Sequence, residues 1–329
     1  MKKIIGLGNA LVDILAILPD DDLLERINLP KGSMQLIDET KYKNVRQILS
    51  GMKTELSTGG SAGNTIKALA RLGACPGFIG KVGRDKMADI YRRDGEKDGT
   101  DLHLLESDAP TGVASAFVSP DGERTFATHL GASFTMGPDD IDKKMFEGYT
   151  HLYIEGYLVQ NHDLILDAVK KAKEAGLKIC LDLASYNIVM EDIEIFHNIV
   201  DNYVDIVFAN EEEARAYTGM RPCEALERLA SVCDIAVVKL GKEGSVAKQD
   251  GKTTRIHTDP AHIRRDTTGA GDFYAAGFMY GVLRDLPLDK CGDIGSLLAG
   301  EVIKIVGTTL PEEKWEEIKK KVAEIENKK

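Results

Sequence analysis

Short aliphatic runs alternate along this chain with longer segments in which apolar residues recur every three or four positions. The runs are Ile4–Leu7, Gly77–Gly80, His151–Glu155, Lys178–Leu183, Ile206–Ala209 and Ile235–Leu240. Their brevity and β-branched or aliphatic content suit strands buried on both faces. Many are separated by the amphipathic segments Ser61–Leu72, His162–Ala175, Glu211–Thr218 and Cys223–Ser231. Glu174-Ala175-Gly176-Leu177-Lys178 reads as a glycine helix stop feeding the next strand. Strand, helix and strand in succession predict βαβ units, hence a doubly wound α/β fold with a mostly parallel sheet and helices on both faces.

Two segments break that rhythm. Thr111–Ser119 and Arg124–Gly131, joined by Pro120-Asp121-Gly122-Glu123, predict a β-hairpin. Ile17–Asp38 mixes acidic residues with Pro19, Pro30 and Gly32 before a short strand, Met34-Gln35-Leu36-Ile37. Segments of about 14–40 and 110–132 are therefore expected to form a small β lid inserted in one α/β domain spanning residues 1–329. Lids exclude water and complete a site on closure. The tail Pro311–Lys329 predicts a solvated helix held by opposite charges at helical spacing, with no chemistry of its own.

With 329 residues, 43% apolar and 29% charged, the chain has the composition of an ordinary globular protein, and no run approaches the length of a membrane helix. Gly8, Asn9 and Asp13 interrupt any signal-peptide core at the start. Cys75, Cys180, Cys223, Cys233 and Cys291 form no Cys-x-x-Cys pair, so neither a disulfide framework nor a zinc site is expected, and the compartment indicated is the cytoplasm. A net charge of −11 argues against nucleic-acid or anionic-membrane partners and leaves a small molecule as the expected ligand.

The chemistry concentrates in five places. Asp266-Thr267-Thr268-Gly269-Ala270-Gly271-Asp272-Phe273 puts a glycine turn and a carboxylate at a helix start. Unpaired N–H groups there attract an anion, and an aspartate beside it suits a general base better than a phosphate ligand. Gly59-Gly60-Ser61-Ala62-Gly63-Asn64-Thr65 opens another helix, with Asn64 in its first turn. Asn210-Glu211-Glu212-Glu213 follows a strand, and Asn210 and Glu213 share a helix face that suits hydrated Mg²⁺. Lys239-Leu240-Gly241-Lys242-Glu243-Gly244 gives a second glycine turn, plausible for the nucleotide. Near the start, Gly6-x-Gly8 meets Leu11 where a dinucleotide fingerprint needs a third glycine, but Asn9 and Asp13 follow a strand and Asp13 suits a sugar diol. Taken singly, each motif reads equally well as a turn or helix cap. No P-loop and no protein-kinase motif occurs.

Taken in order, Gly6–Asp13, Gly59–Asn64, Gly80-Lys81-Val82-Gly83-x-Asp85, Asn210–Glu213, Gly241–Gly244 and Asp266–Asp272 resemble the motif series of the ribokinase, or PfkB, family of sugar and nucleoside kinases. The resemblance spans nearly the whole chain. It implies a ribokinase-like fold and transfer of a phosphoryl group from Mg·ATP to a primary hydroxyl. By the same resemblance Asp272 is the catalytic base, and Gly269, Ala270 and Gly271 form the anion hole. Asn210 and Glu213 organise Mg²⁺ and phosphate, while Lys239, Gly241 and Gly244 lie on the ATP side. Asn9, Asp13, Gly60 and Asn64 meet the sugar, joined by Glu155. Asp266 and Thr268 are similar to positions that bind a monovalent cation such as K⁺. Gly8–Ile14 and Gln35-Leu36-Ile37 are similar to the adenosine kinases of that family, which puts Gln35 near a base and favours adenosine. The alternatives are ribose, fructose or 2-keto-3-deoxygluconate as acceptor, or a catalytically silent ligand sensor. An exposed lid edge could join two subunits in a homodimer.

Overall fold

Alternation along the strands decides which face of the sheet each helix covers. The computed structural model describes residues 2–258 and 265–328. Its strands, in chain order, are β1 (Ile4–Leu7), β2 (Leu11–Ile17), β3 (Met34–Leu36), β4 (Thr54–Gly59), β5 (Gly77–Val82), β6 (Asp101–Glu106), β7 (Gly112–Val118), β8 (Arg124–His129), β9 (His151–Glu155), β10 (Lys178–Asp182), β11 (Val204–Asn210), β12 (Ile235–Lys239), β13 (Ser245–Gln249) and β14 (Lys252–Ile256). The helices are α1 (Asp22–Arg26), α2 (Glu39–Leu49), α3 (Ser61–Arg71), α4 (Lys86–Asp98), α5 (His162–Glu174), α6 (Tyr186–Glu191), α7 (Ile193–Asn202), α8 (Glu211–Thr218), α9 (Pro222–Ala230), α10 (Ala270–Leu283), α11 (Leu288–Val302) and α12 (Glu312–Asn327).

The large sheet has the order β14-β13-β12-β11-β10-β9-β1-β5-β6, and every pair from β12 to β6 is parallel. Ile5, Leu7, Leu152, Ile154, Ile179, Leu181 and Val207 point toward α5–α9. Their neighbours Ile4, Tyr153, Cys180, Ile206 and Phe208 point the other way, into the core with α3, α4 and α10–α12. Successive side chains on a strand leave opposite faces, so a strand covered on both sides is apolar throughout. The chain runs outward from β1 in one direction through β5 and β6, and in the other through β9 to β12. The reversal falls between β1 and β9, where ligands of open α/β sheets bind.

A second sheet, ordered β3-β8-β7-β2-β4, forms the lid. It is larger than the sequence suggests, because β2, β4 and α2 belong to it. Ile14, Ala16, Val113, Phe117 and Ala127 pack on its outer face beneath α1 and α2, with Leu24, Val45 and Leu49. The opposite face carries Leu11, Asp13, Ala114, Phe126, Thr128, Met34 and Leu36 toward the cleft. The hinge is pinned by Asp85, which caps α4 through the N–H groups of Met87 and Ala88 and accepts bonds from the Thr111 N–H and hydroxyl.

Other differences from the sequence reading concern the chain's second half. β13 and β14 form an unforeseen edge hairpin, though its Asp250-Gly251 turn, with φ of 50° and 74°, is a recognisable two-residue hairpin signal. The C-terminal helix is docked rather than merely solvated. Trp315, Ile318 and Val322 are buried, and Trp315 stacks on Phe273 next to Asp272 with ring centroids 6.1 Å apart. The lysines and glutamates dominate that helix's composition and hid its apolar stripe.

Candidate active site

The ends of five parallel strands deliver the polar residues. Asn9 follows β1, while Glu155, Asp182, Asn210 and Lys239 are the last residues of β9, β10, β11 and β12. All five line one cleft of about 760 Å³ between the large sheet and the lid, a volume suited to small organic ligands.

Asp272 sits at the floor of that cleft in the first turn of α10. Its Oδ1 accepts a hydrogen bond from the Ser61 hydroxyl at 2.7 Å, and its Oδ2 accepts one from the Asn64 amide at 2.9 Å. Burial pushes the carboxyl up to about 6, and the bonds from Asn64 and Ser61 hold it down from going further. Asn64, expected to contact the acceptor, thus spends its amide nitrogen on Asp272. Its Oδ1 is buried without a protein partner and remains an acceptor for a ligand hydroxyl. Ser61 was not singled out from sequence, although it lies inside the Gly59–Thr65 motif.

Gly269 holds φ at +73°, a conformation that turns the chain into α10 and that side chains disfavour. The Ala270 N–H, one of the three expected to meet an anion, donates to the Thr267 carbonyl at 3.1 Å.

Asp13 does not follow a strand, as the sequence suggests, but lies within β2 on the cleft face of the lid, opposite Ser57 of β4. Burial lifts its carboxyl to about 7 against the pull of Lys67 and Arg124, while Asp272 and Asp266 add to the rise. Gly60 is forced by geometry: φ is +89° and a Cβ there would lie 2.2 Å from the Asn9 carbonyl.

Glu155 is a strut rather than a free sugar ligand. Its Oε1 accepts from the Asn9 N–H at 3.0 Å and the Asn9 side-chain amide at 2.6 Å, and its Oε2 accepts from the Ala62 N–H at 2.8 Å. Asn9 is occupied by the same bonds. Burial raises the Glu155 carboxyl to about 7, opposed by the Ala62 and Asn9 donors. Glu155→Gln turns an NH₂ toward one of three buried donors and should lower unfolding free energy by about 1–3 kcal/mol, read by denaturant titration.

Asp13, Glu155, Glu213 and Asp272 all have raised folded-state values, at about 7, 7, 7 and 6. Between the usual carboxylate range and those values the folded state holds more protons than the unfolded one. Their contribution to stability is therefore complete at low pH and is lost as pH rises toward 7.

On the other side of the cleft, Asn210 and Glu213 form a reciprocal cap at the start of α8. The Asn210 side chain accepts from the Glu213 N–H at 2.8 Å, and Glu213 accepts from the Asn210 N–H at 2.8 Å and its amide at 2.6 Å. Burial drives Glu213 up to about 7, partly offset by Lys239. The Lys239 ammonium pairs with Asp182 at 2.8 Å. Asp182 was missed from sequence; its signal was the same strand-end position that marked Asn210. Gly241, with φ of +54°, and Gly244, with φ of +87°, complete the turn after β12, and Ser296, Ala299, Gly300 and Ile303 of α11 and its end wall the cleft beside them.

Two expected contacts are placed differently. Asp266 accepts from the Thr268 N–H at 3.0 Å and the Gly307 N–H at 2.8 Å, and pairs with the lid residue Arg124 at 2.8 Å. Gln35 is exposed and does not line the cleft, whereas its neighbours Met34 and Leu36 do. Period two makes the choice absolute: the register Met34↔Phe126 and Leu36↔Thr128 puts these four on the cleft face and Gln35 with Ala127 on the other.

Asp272, in the first turn of α10, shares one cleft with Asp13 and with the glycine turn after β12, and the pfkB family carbohydrate kinase pattern matches residues 33–315. The chain belongs to the PfkB family. It is a carbohydrate or nucleoside kinase, with a ribokinase-like fold. The adenosine kinase of Sinorhizobium meliloti superposes with a TM-score of 0.87 and 34% identity, over 97% of this chain and 99% of its own. A probable sugar kinase from Rhizobium etli CFN 42 gives 0.87 and 32%, over 98% and 99%. Adenosine kinase 2 of Arabidopsis thaliana is 26% identical over 94% of this chain and 96% of its own length. Among the described residues of this PfkB kinase, no helix is long and apolar enough to cross a membrane.

Proposed function

We propose that this kinase moves the γ-phosphate of ATP to the primary hydroxyl of a nucleoside, with adenosine favoured. The observation that carries it is Asp272, half-buried, doubly hydrogen-bonded and in the first turn of α10, in one cleft with Asp13. The acceptor oxygen attacks the γ-phosphorus, its proton passes to Asp272, and the bond to the β-phosphate oxygen breaks to release ADP. Positioning and charge stabilisation supply most of the catalysis in such transfers. The Gly269 and Gly271 N–H groups and the α10 dipole meet the charge on the moving phosphoryl group. Asp13 accepts the two ribose hydroxyls, the Asn64 Oδ1 orients the acceptor, and Lys239 with the Gly241–Gly244 turn holds the donor. Glu155 and Gly60 keep the acceptor floor in shape.

Mg²⁺ fits this donor set in one way. Both Glu213 oxygens are engaged by Asn210, and no cluster of three acidic, histidine or cysteine residues exists among the described residues. The ion would arrive on the ATP phosphates, where it screens their charge, with Asn210 and Glu213 reaching its waters. Potassium has less support, because the Asp266 carboxylate is already taken by Arg124 and two N–H groups.

Nucleoside specificity rests on the apolar wall of Leu11, Met34, Leu36 and Phe126 facing the polar floor. A purine face needs such a surface, and a free sugar does not. Similarity to proteins named adenosine kinases favours the same choice, and similarity to the Rhizobium etli sugar kinase keeps ribose, fructose and 2-keto-3-deoxygluconate as the second reading. A silent sensor is disfavoured because base and anion hole are both present. ATP turnover with adenosine, inosine and the three sugars decides. Adenosine should lead, and Met34→Ala with Leu36→Ala should narrow its advantage over ribose by about tenfold, the usual worth of apolar contacts of this size, while Gln35→Ala leaves it unchanged. A sugar that outperforms every nucleoside sinks the nucleoside assignment and spares the kinase. The reading includes the cytoplasm, whose reducing state suits five free cysteines. A homodimer through the lid is included too: β4 is a sheet edge, and Leu56 on it is exposed.

A further inference from the structure

Asp182 ends β10, Lys239 ends β12, and their side chains meet across the end of β11 at the carboxyl edge of the sheet, Nζ to Oδ2 2.8 Å. Their side chains are only 5% and 15% exposed, and a buried ion pair is costly to assemble, so one inside a binding cleft calls for a use. Lys239 also draws the carboxyls of Glu213 and Asp272 toward ionisation, but neither makes a hydrogen bond to the pair.

The turn after β10 is built around the acid. Ala184 has φ of +64°, and the Ser185 N–H donates to the Leu183 carbonyl at 2.8 Å, which makes a γ-turn of the rare positive-φ kind. Strain of this sort persists where the surrounding structure over-determines it, and it clusters at functional sites. Here the turn lets the Ala184 N–H bind Oδ1 of Asp182 at 3.0 Å, leaving Oδ2 for the lysine. Gly156 backs the turn so closely that a Cβ there would lie 2.6 Å from the Leu183 carbonyl oxygen.

The ammonium rests against the anion hole. A Cβ at Gly271 would lie 3.2 Å from Nζ. A lysine and the positive end of α10 are thus side by side, an arrangement that favours an incoming anion and is held in its absence by a counter-charge.

We propose that Asp182 is a positioning residue that holds Lys239 at the rim of the anion hole, ready for the phosphate chain of a nucleoside triphosphate. An ammonium has three donors, so Lys239 keeps Asp182 while it engages a phosphate oxygen. Asp182 then acts only through Lys239. This rests on the reading of the cleft as an ATP site.

The test is calorimetric binding of a non-hydrolysable ATP analogue without acceptor, with steady-state kinetics alongside, for Asp182→Asn, Lys239→Met and the double variant. Lys239→Met should weaken the analogue by about tenfold or more, the worth of one charge-assisted hydrogen bond. Asp182→Asn should weaken it severalfold and raise the KM for ATP, with the acceptor KM unchanged. The double variant should bind as Lys239→Met does, because a residue acting through another has nothing left to lose. A further tenfold loss in the double variant, or unchanged binding in Asp182→Asn, overturns the proposal. Should Asp182→Asn fail to fold around its unpaired lysine, the double variant, which removes both charges, still gives the comparison. If the unaltered enzyme binds no analogue, the ATP-site reading itself falls, and the proposal with it.

Discussion

Asp272→Asn should lower kcat by about 10²–10⁴-fold while leaving binding of an ATP analogue nearly intact, the usual span for a lost general base. The amide keeps the size of the carboxylate and one of its two acceptor positions but cannot take the acceptor's proton. Ser61 and Asn64 both donate to Asp272, so the substitution also sets one NH₂ against a donor and disturbs the first turn of α3 slightly. That local cost is separable by thermal denaturation. The pH profile gives a second check. With the carboxyl at about 6, the ionised base is lost as pH falls below that value, so kcat should decline on the acid side near pH 6 in the unaltered enzyme. The decline should be absent from the residual activity of Asp272→Asn. Near-normal turnover in the purified variant would remove Asp272 from the mechanism.

Asp13→Ala is expected to show its loss in the acceptor and not in ATP. Two hydroxyls accepted by one carboxylate are worth about 1.5–3 kcal/mol each, so acceptor kcat/KM should fall by roughly 10²-fold or more. Because the Asp13 carboxyl is pushed up to about 7, acceptor kcat/KM should already be falling as pH drops below 7, ahead of the decline in kcat. Unchanged acceptor affinity by calorimetry in Asp13→Ala would rule out the diol contact.

The raised values at Asp13, Asp272, Glu155 and Glu213 have one origin. Packing between the large sheet and the lid removes water from these carboxylates, and each is brought back toward ionisation by a partner: Lys67 and Arg124 for Asp13, Asn64 and Ser61 for Asp272, the Asn9 and Ala62 donors for Glu155, Lys239 for Glu213.

What the sequence determined by itself was local in origin, though the local Asp250-Gly251 signal of the β13–β14 hairpin went unread. Continuous apolar runs marked six of the seven inner strands of the large sheet, because a strand covered on both faces has no polar side to show. Glycines at Gly60 and Gly269 marked the two turns whose positive φ other residues resist, and Asp272 and Asn64 were legible beside them. The tertiary structure decided what depends on which way a side chain leaves its strand and on what faces it. Gln35 turned away from the cleft and Met34 and Leu36 into it because pairing with β8 fixed the register of β3, and a three-residue strand has too little pattern to declare its own phase. Asp13 became a lid residue because β2 leaves the large sheet after Asn9. Glu155, Asn210 and Glu213 became partly structural, since a buried carboxylate takes whatever N–H donors packing brings to it. The pairs Ser61–Asp272 and Asp182–Lys239 join residues 211 and 57 positions apart, and only the folded chain brings such charges and hydroxyls within hydrogen-bonding distance.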